Sequence, residues 1–242
     1  MLVLAHRGAS VVAPENTPEA FRAADAMGAD GVELDVRLAP DGRLVVRHDP
    51  LVVGGVAAGR LPVDLAGLAD LDAALDACGT RMLVNIELKN IESEPDFDPA
   101  MRIVDRLLDV LAERPADERR RWLVSSFSWS TLERCRAAMP AVPTAWLVLD
   151  ASEDVVRRAA VAGDLALHPW VGAVTEEVVE RCHDAGLAVH AWTCNDAARL
   201  VELADAGVDG VCTDVPDVAL GALGRPADGD APAVSPRWGR RA

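Results

Sequence analysis

Short aliphatic and β-branched runs alternate with amphipathic stretches from one end of the chain to the other. The strand-like runs fall at 2–5, 31–36, 82–88, 122–126, 144–149, 165–168, 188–192 and 210–213. The helix-like stretches lie near 17–28, 64–77, 99–114, 129–139, 152–162, 175–185, 196–206 and 216–223. Strands alternating with helices make βα units on a parallel sheet, and eight units in 242 residues match a closed TIM (β/α)8 barrel. A doubly wound open sheet competes with it, but no GxGxxG follows the first strand; His6, Arg7 and Gly8 stand there instead. One break in the alternation is expected. Pro40, Asp41 and Gly42 separate two apolar runs, the signature of a hairpin that returns beside the second strand and delivers His48 to that strand's outlet. The pattern thus predicts a single barrel domain over 1–223. From 224 to 242 the chain is rich in Pro, Gly, Ala and Asp and ends in arginines, and a disordered tail is expected.

The alternation of side chains along a strand also sorts the polar residues. Glu33 and Asp35 share one face of the second strand, opposite Val32, Leu34 and Val36; on the third strand Asn85, Glu87 and Lys89 share a face opposite Val84, Ile86 and Leu88. A parallel strand in a βα fold is covered on both sides, so these acids are not simply solvated. Clustered carboxylates need a compensating cation, and Glu33, Asp35 and Glu87 offer the oxygen donors that suit Ca²⁺ or Mg²⁺. His6 closes the first strand and His48 the hairpin, both at the end of the barrel where such folds place chemistry. Two imidazoles beside a metal site supply a general base and a general acid. In the loop before the first helix Thr17 is an N-cap and Pro18 opens the helix, whereas capping does not account for Glu15 and Asn16, which stand where a phosphate oxygen, a ligand hydroxyl or the metal can be held. His168, Trp146 and Trp170 are candidates for lining a pocket, Trp129 for capping its rim, and His183 and His190 read as structural.

Composition narrows the function. The net charge is −15 and half the residues are apolar, so neither nucleic acid nor an anionic bilayer is attracted by charge. No apolar run approaches the roughly 18 residues of a membrane span, and five residues before His6 leave no room for a leader, so a cytoplasmic location without membrane insertion is expected. Five cysteines without CxxC spacing read as reduced, mostly buried thiols. Lys89 is the only lysine among 24 basic residues. In a chain that uses arginine everywhere else, that choice marks a place for a compact ammonium.

Taken together, His6-Arg7-Gly8-Ala9, Pro14-Glu15-Asn16-Thr17, the stretch 31–36, Asp41-Gly42 through His48-Asp49, and Ile86-Glu87-Leu88-Lys89 resemble the glycerophosphodiester phosphodiesterase family. The likeness continues in Ser125-Ser126-Phe127, in the stretch 190–195 and in the stretch 207–214. The resemblance implies a metal-dependent TIM barrel that hydrolyses small-molecule glycerophosphodiesters, such as glycerophosphocholine or glycerophosphoethanolamine, to sn-glycerol 3-phosphate and an alcohol. It implies Glu33, Asp35 and Glu87 as metal ligands, His6 and His48 as the acid/base pair, and Arg7 and Lys89 as phosphate-binding cations. Trp192 then corresponds to the family's substrate-lining aromatic. One departure stands out: after His48-Asp49-Pro50 the chain runs Leu51-Val52-Val53-Gly54-Gly55-Val56, shorter and more apolar than the family's insertion, which bears on the alcohol accepted. Three other readings compete. A lyase of the phospholipase or sphingomyelinase D type would stop at a cyclic phosphate, a Schiff-base aldolase would use Lys89, and a binding barrel would use none of these groups.

Overall fold

The computed structural model describes residues 1–51, 67–225 and Trp238. The first half runs β1 (Leu2–His6), α1 (Pro18–Ala26), β2 (Gly31–Leu38), β3 (Leu44–Val46), α2 (Leu71–Ala77), β4 (Leu83–Leu88), α3 (Arg102–Glu113), β5 (Trp122–Ser126) and α4 (Trp129–Ala138). It continues with β6 (Thr144–Val148), α5 (Glu153–Ala162), β7 (Ala166–Pro169), α6 (Glu176–Asp184), β8 (Ala188–Ala191), α7 (Ala197–Asp205), β9 (Gly210–Thr213) and α8 (Pro216–Ala222). Eight of the strands are parallel neighbours in a ring that closes because β1 pairs with both β2 and β9. This is the expected TIM barrel.

The hairpin also forms where Asp41 and Gly42 predict it. Strand β3 lies outside the ring, antiparallel to the last residues of β2, with Val36 opposite Val46 and Leu38 opposite Leu44. Gly42 takes φ +88°, a conformation that costs a side-chain-bearing residue dearly. Thr17 caps α1 by accepting the Ala20 amide, with Pro18 at the helix start. Residues 52–66, which include most of the shortened insertion and the start of the helix expected from 64, lie outside the described residues, as does most of the tail. The 3-10 turn Ala116–Arg121 was not legible, because its Glu-Arg-Arg-Arg run looks like an exposed loop; Arg121 is nevertheless buried and donates to the Met82 carbonyl.

Two apolar layers sit between ring and helices. Val32, Leu34, Val84 and Ile86 pack outward on Phe21, Leu75, Ile103 and Leu107, while Leu167, Val189 and Val211 pack on helices of the second half. Each such side chain contributes about 1.5–3 kcal/mol on burial. Inside the ring, the end from which the strands start is apolar: Leu123, Ala145, Ala166 and Ala188 meet there, and Trp238 packs against them. The Trp238 indole donates to the Arg121 carbonyl at 2.9 Å and its ring stacks 5.7 Å from His190. Arg225 forms a two-point bridge to Asp30, whose carboxylate also accepts the Val3 amide. All five cysteines are free and buried. No described helix is long and apolar enough to cross a membrane.

Candidate active site

The ends of β1, β2 and β4 converge. Glu33 and Asp35 point inward from β2, and Glu87 from β4 stands level with Asp35 in the register of those strands. One oxygen from each of Glu33, Asp35 and Glu87 lies within 4.8 Å of the others, and all three residues are buried. Burial, then the neighbouring Asp35 and Glu87, pushes the Glu33 carboxyl well above its ordinary range. Glu33 Oε1 and the inward-facing Asn85 Oδ1 are buried and meet no hydrogen-bond donor among the described residues. Orphaned acceptors lining one cavity beside clustered carboxylates are what a hard, oxygen-seeking cation satisfies, so the donor set fits Ca²⁺ or Mg²⁺.

Positive groups flank the acids on one side. Lys89 Nζ lies 2.6 Å from Glu87 Oε1 and 3.0 Å from Asp35 Oδ1. Burial pulls its ammonium toward deprotonation, but the two carboxylates overcome this and raise its pKa. An amine held charged in this way is poorly placed to form an imine, which disfavours the aldolase alternative. Arg7 reaches Asp35 Oδ2 at 3.3 Å and Glu15 at 2.9 Å. Asn16 grips Asp35 at two points, its amide nitrogen donating to Oδ2 at 2.8 Å and its oxygen accepting the Asp35 amide at 3.2 Å. Asn16 is thus committed to aiming Asp35, and Glu15 to aiming Arg7. With Lys89, Arg7 and Asn16 around it, the Asp35 carboxyl stays below its ordinary range in spite of burial.

The two histidines differ in their support. His6 Nδ1 lies 2.6 Å from Asp214 Oδ1, just past β9, and its Nε2 faces Glu33 at 4.0 Å. Asp214 is held in turn by the Asn195 amide at 2.6 Å, and the hydrogen bond with His6 leads the pull that takes its carboxyl down to about 2. A carboxylate on Nδ1 fixes the tautomer and leaves Nε2 for chemistry. Asp214 was not singled out in the sequence, although it lies two residues beyond the inward-facing Cys212 and so continues the same face. His48 contacts Asp49 at 3.2 Å; burial, Lys89 and Arg7 lower its pKa.

His6, Arg7, His48, Glu87 and Lys89 line one cavity of about 260 Å³. Its walls continue downward past Phe127 and Trp192, which meet edge to face at 5.3 Å, to His168 and His190. Trp192 is fixed by donating to the His168 carbonyl. The His168 and His190 rings touch through nitrogens 3.1 Å apart, and burial lowers both pKa values, that of His190 to about 4. Trp146 and Trp170 are not among the lining residues; Trp146 meets Trp129 edge-on under Arg158, and His183 pairs with Asp209.

Comparison with known proteins decides among the barrels this site resembles. The sequence profile of the Glycerophosphoryl diester phosphodiesterase family matches residues 6–218. The chain belongs to that family. As a glycerophosphoryl diester phosphodiesterase family member it is an enzyme, and its similarity to the family spans the barrel. It is 31% identical to a glycerophosphodiester phosphodiesterase of Caldanaerobacter subterraneus subsp. tengcongensis over 90% of this chain and 96% of that one. An Oleispira antarctica phosphodiesterase solved in complex with the product sn-glycerol-3-phosphate superposes with a TM-score of 0.81 at 26% identity, covering 93% of this chain and 97% of that chain. A glycerophosphodiester phosphodiesterase of Thermotoga maritima matches at 27% identity and a TM-score of 0.73, over 93% and 98%.

Proposed function

We propose that this family member uses one divalent cation, Ca²⁺ or Mg²⁺, held by Glu33, Asp35 and Glu87, to hydrolyse glycerophosphodiesters such as glycerophosphocholine and glycerophosphoethanolamine. The products are sn-glycerol 3-phosphate and the free alcohol. The observation that carries the reading is the buried acid trio with an orphaned Glu33 oxygen, in one cavity with His6 and His48. The product complex of the Oleispira relative supports the substrate class.

A cation held by Glu33, Asp35 and Glu87 would supply positive charge to offset the negative charge that grows on the phosphate as phosphorus is attacked. Arg7 and Lys89, which stand beside the acids in the same cavity, bind that phosphate and strengthen as the charge develops. His6 and His48 divide the proton work. One takes the proton from the nucleophile, water or the glycerol 2-hydroxyl, and the other protonates the departing alcohol; where the 2-hydroxyl attacks, the cyclic phosphate it forms is opened by water in a second step with the two histidine roles exchanged. Asp214 keeps His6 in the tautomer that presents Nε2. Trp192 and Phe127 wall the substrate, over a floor of His168 and His190.

A coupled assay for glycerol 3-phosphate release, run across several glycerophosphodiesters, tests this. Release is expected to stop with a chelator and return with Ca²⁺ or Mg²⁺, and phosphorus NMR is expected to show a phosphomonoester. Undiminished release in chelator removes the cation from the scheme, and a stable cyclic phosphate in the spectrum replaces the hydrolase with a lyase.

A further inference from the structure

Two residues past Asp35, on the same face of β2, stands Arg37, whose side chain is 1% exposed although it lines no part of the cavity. Its Nε and Nη2 both donate to the His48 main-chain carbonyl, at 2.9 and 2.5 Å. Its Nη1 donates to Glu94 at 2.8 Å and to both oxygens of Asp96 at 3.0 Å, two acids in the connection between β4 and α3. Asp96 Oδ2 in turn accepts the Leu51 amide at 2.8 Å. On the other side of His48, the Arg47 amide is bonded to the Asp35 carbonyl at 2.9 Å. The short segment carrying His48 is therefore tied down before, at and after the histidine.

Burying a guanidinium costs several kcal/mol unless its donors are matched, and here every one of its nitrogens has an acceptor. A surface turn needs no such anchor to stay folded. We propose that Arg37, clamped by Glu94 and Asp96, is a positioning residue for His48: it fixes the peptide of a histidine whose ring is only partly buried and whose side-chain contact to Asp49 is long. The inference rests on the reading of His48 as an acid/base group. Displacing a catalytic group by about 1 Å can cost on the order of 10²-fold. Damage at this clamp should then appear in kcat, while the cation and phosphate sites, built from other side chains, keep KM.

A double-mutant cycle tests it. Arg37→Met is expected to lower kcat about 30–100-fold with KM changed less than about threefold. Arg37→Lys, which keeps the charge but loses the two-point grip on the carbonyl, is expected to recover part of that loss. In a His48→Ala background Arg37→Met is expected to add less than about twofold, because the group it positions is gone. Asp96→Ala is the second variant, read in the same cycle if Arg37→Met does not fold, with an expected loss of about 3–10-fold that also vanishes without His48. Full kcat in the clamp variants, or a loss that multiplies with that of His48→Ala, overturns the proposal while leaving the proposed function intact. A His48→Ala enzyme as fast as wild type overturns the proposal together with the reading beneath it.

Discussion

The two ends of the barrel interior are built from the same strands and have opposite characters. On β4 the inward positions run from Leu83 to Asn85 and Glu87; on β7 and β8 they run from Ala166 to His168 and from Ala188 to His190. At the starting end the residues are small and apolar, and an indole fills the space they leave. At the finishing end, buried acids crowd around one lysine. The apolar end can be stable without a partner. The charged end leaves acceptors unsatisfied, which is a cost in the empty protein that a cation and a phosphate would offset. Stability and chemistry are separated along the axis rather than among the strands.

The strongest way to break that division is to remove a charge from the finishing end. Glu33→Gln is expected to lower kcat/KM at least about 10³-fold with no loss in Tm for the metal-free protein, and Glu87→Gln to lower it as much but with a fall in Tm, because the buried Lys89 ammonium loses its 2.6 Å partner. A fall in Tm together with retained activity would make the acids structural. Next in size, Asp214→Asn is expected to cost about 10²-fold in kcat, because the amide no longer enforces the His6 tautomer. A KM effect alone would count against that role. At the starting end the expectation inverts: Trp238→Ala should lower stability by about 2 kcal/mol, or Tm by about 4–8 °C, with kcat within about twofold when measured well below Tm.

The smallest effect is one of pH. The Glu33 carboxyl binds its proton more tightly in the folded, metal-free chain than in the unfolded one. That proton therefore stabilises the fold below the ordinary glutamate range of about 4.5, and the benefit is lost as pH rises through the higher folded value. A bound cation removes this loss by taking the proton's place. The rise in Tm on saturating with Ca²⁺ or Mg²⁺ should thus be larger near pH 8 than near pH 5, measured by thermal scans with and without chelator. An increment independent of pH would show that the acids are already ionised when empty.

How much of this was legible depended on whether residue type carried information. The eight βα units were readable because buried strands and amphipathic helices have different periods, and the trio Glu33, Asp35 and Glu87 because carboxylates on a doubly covered strand conflict with burial. Lys89 was readable for its singularity. Arg37 was not, since arginine is this chain's ordinary cation and the strand expected at 31–36 stops one residue short of it, whereas β2 runs on to Leu38. Asp214 closed the family-like stretch 207–214 but carried no assigned role, because only the folded ring brings it to His6. Trp238 sits among Pro, Gly and Arg, a context that signals loose chain, and only the space left by three alanines inside the ring shows why an indole belongs there.

That indole has a practical consequence for anyone handling the protein. Ending an expression clone after residue 223, where the last helix-like stretch stops, would strip away Arg225 and Trp238 together. The barrel would lose its stopper, and water would gain a route from below to His190.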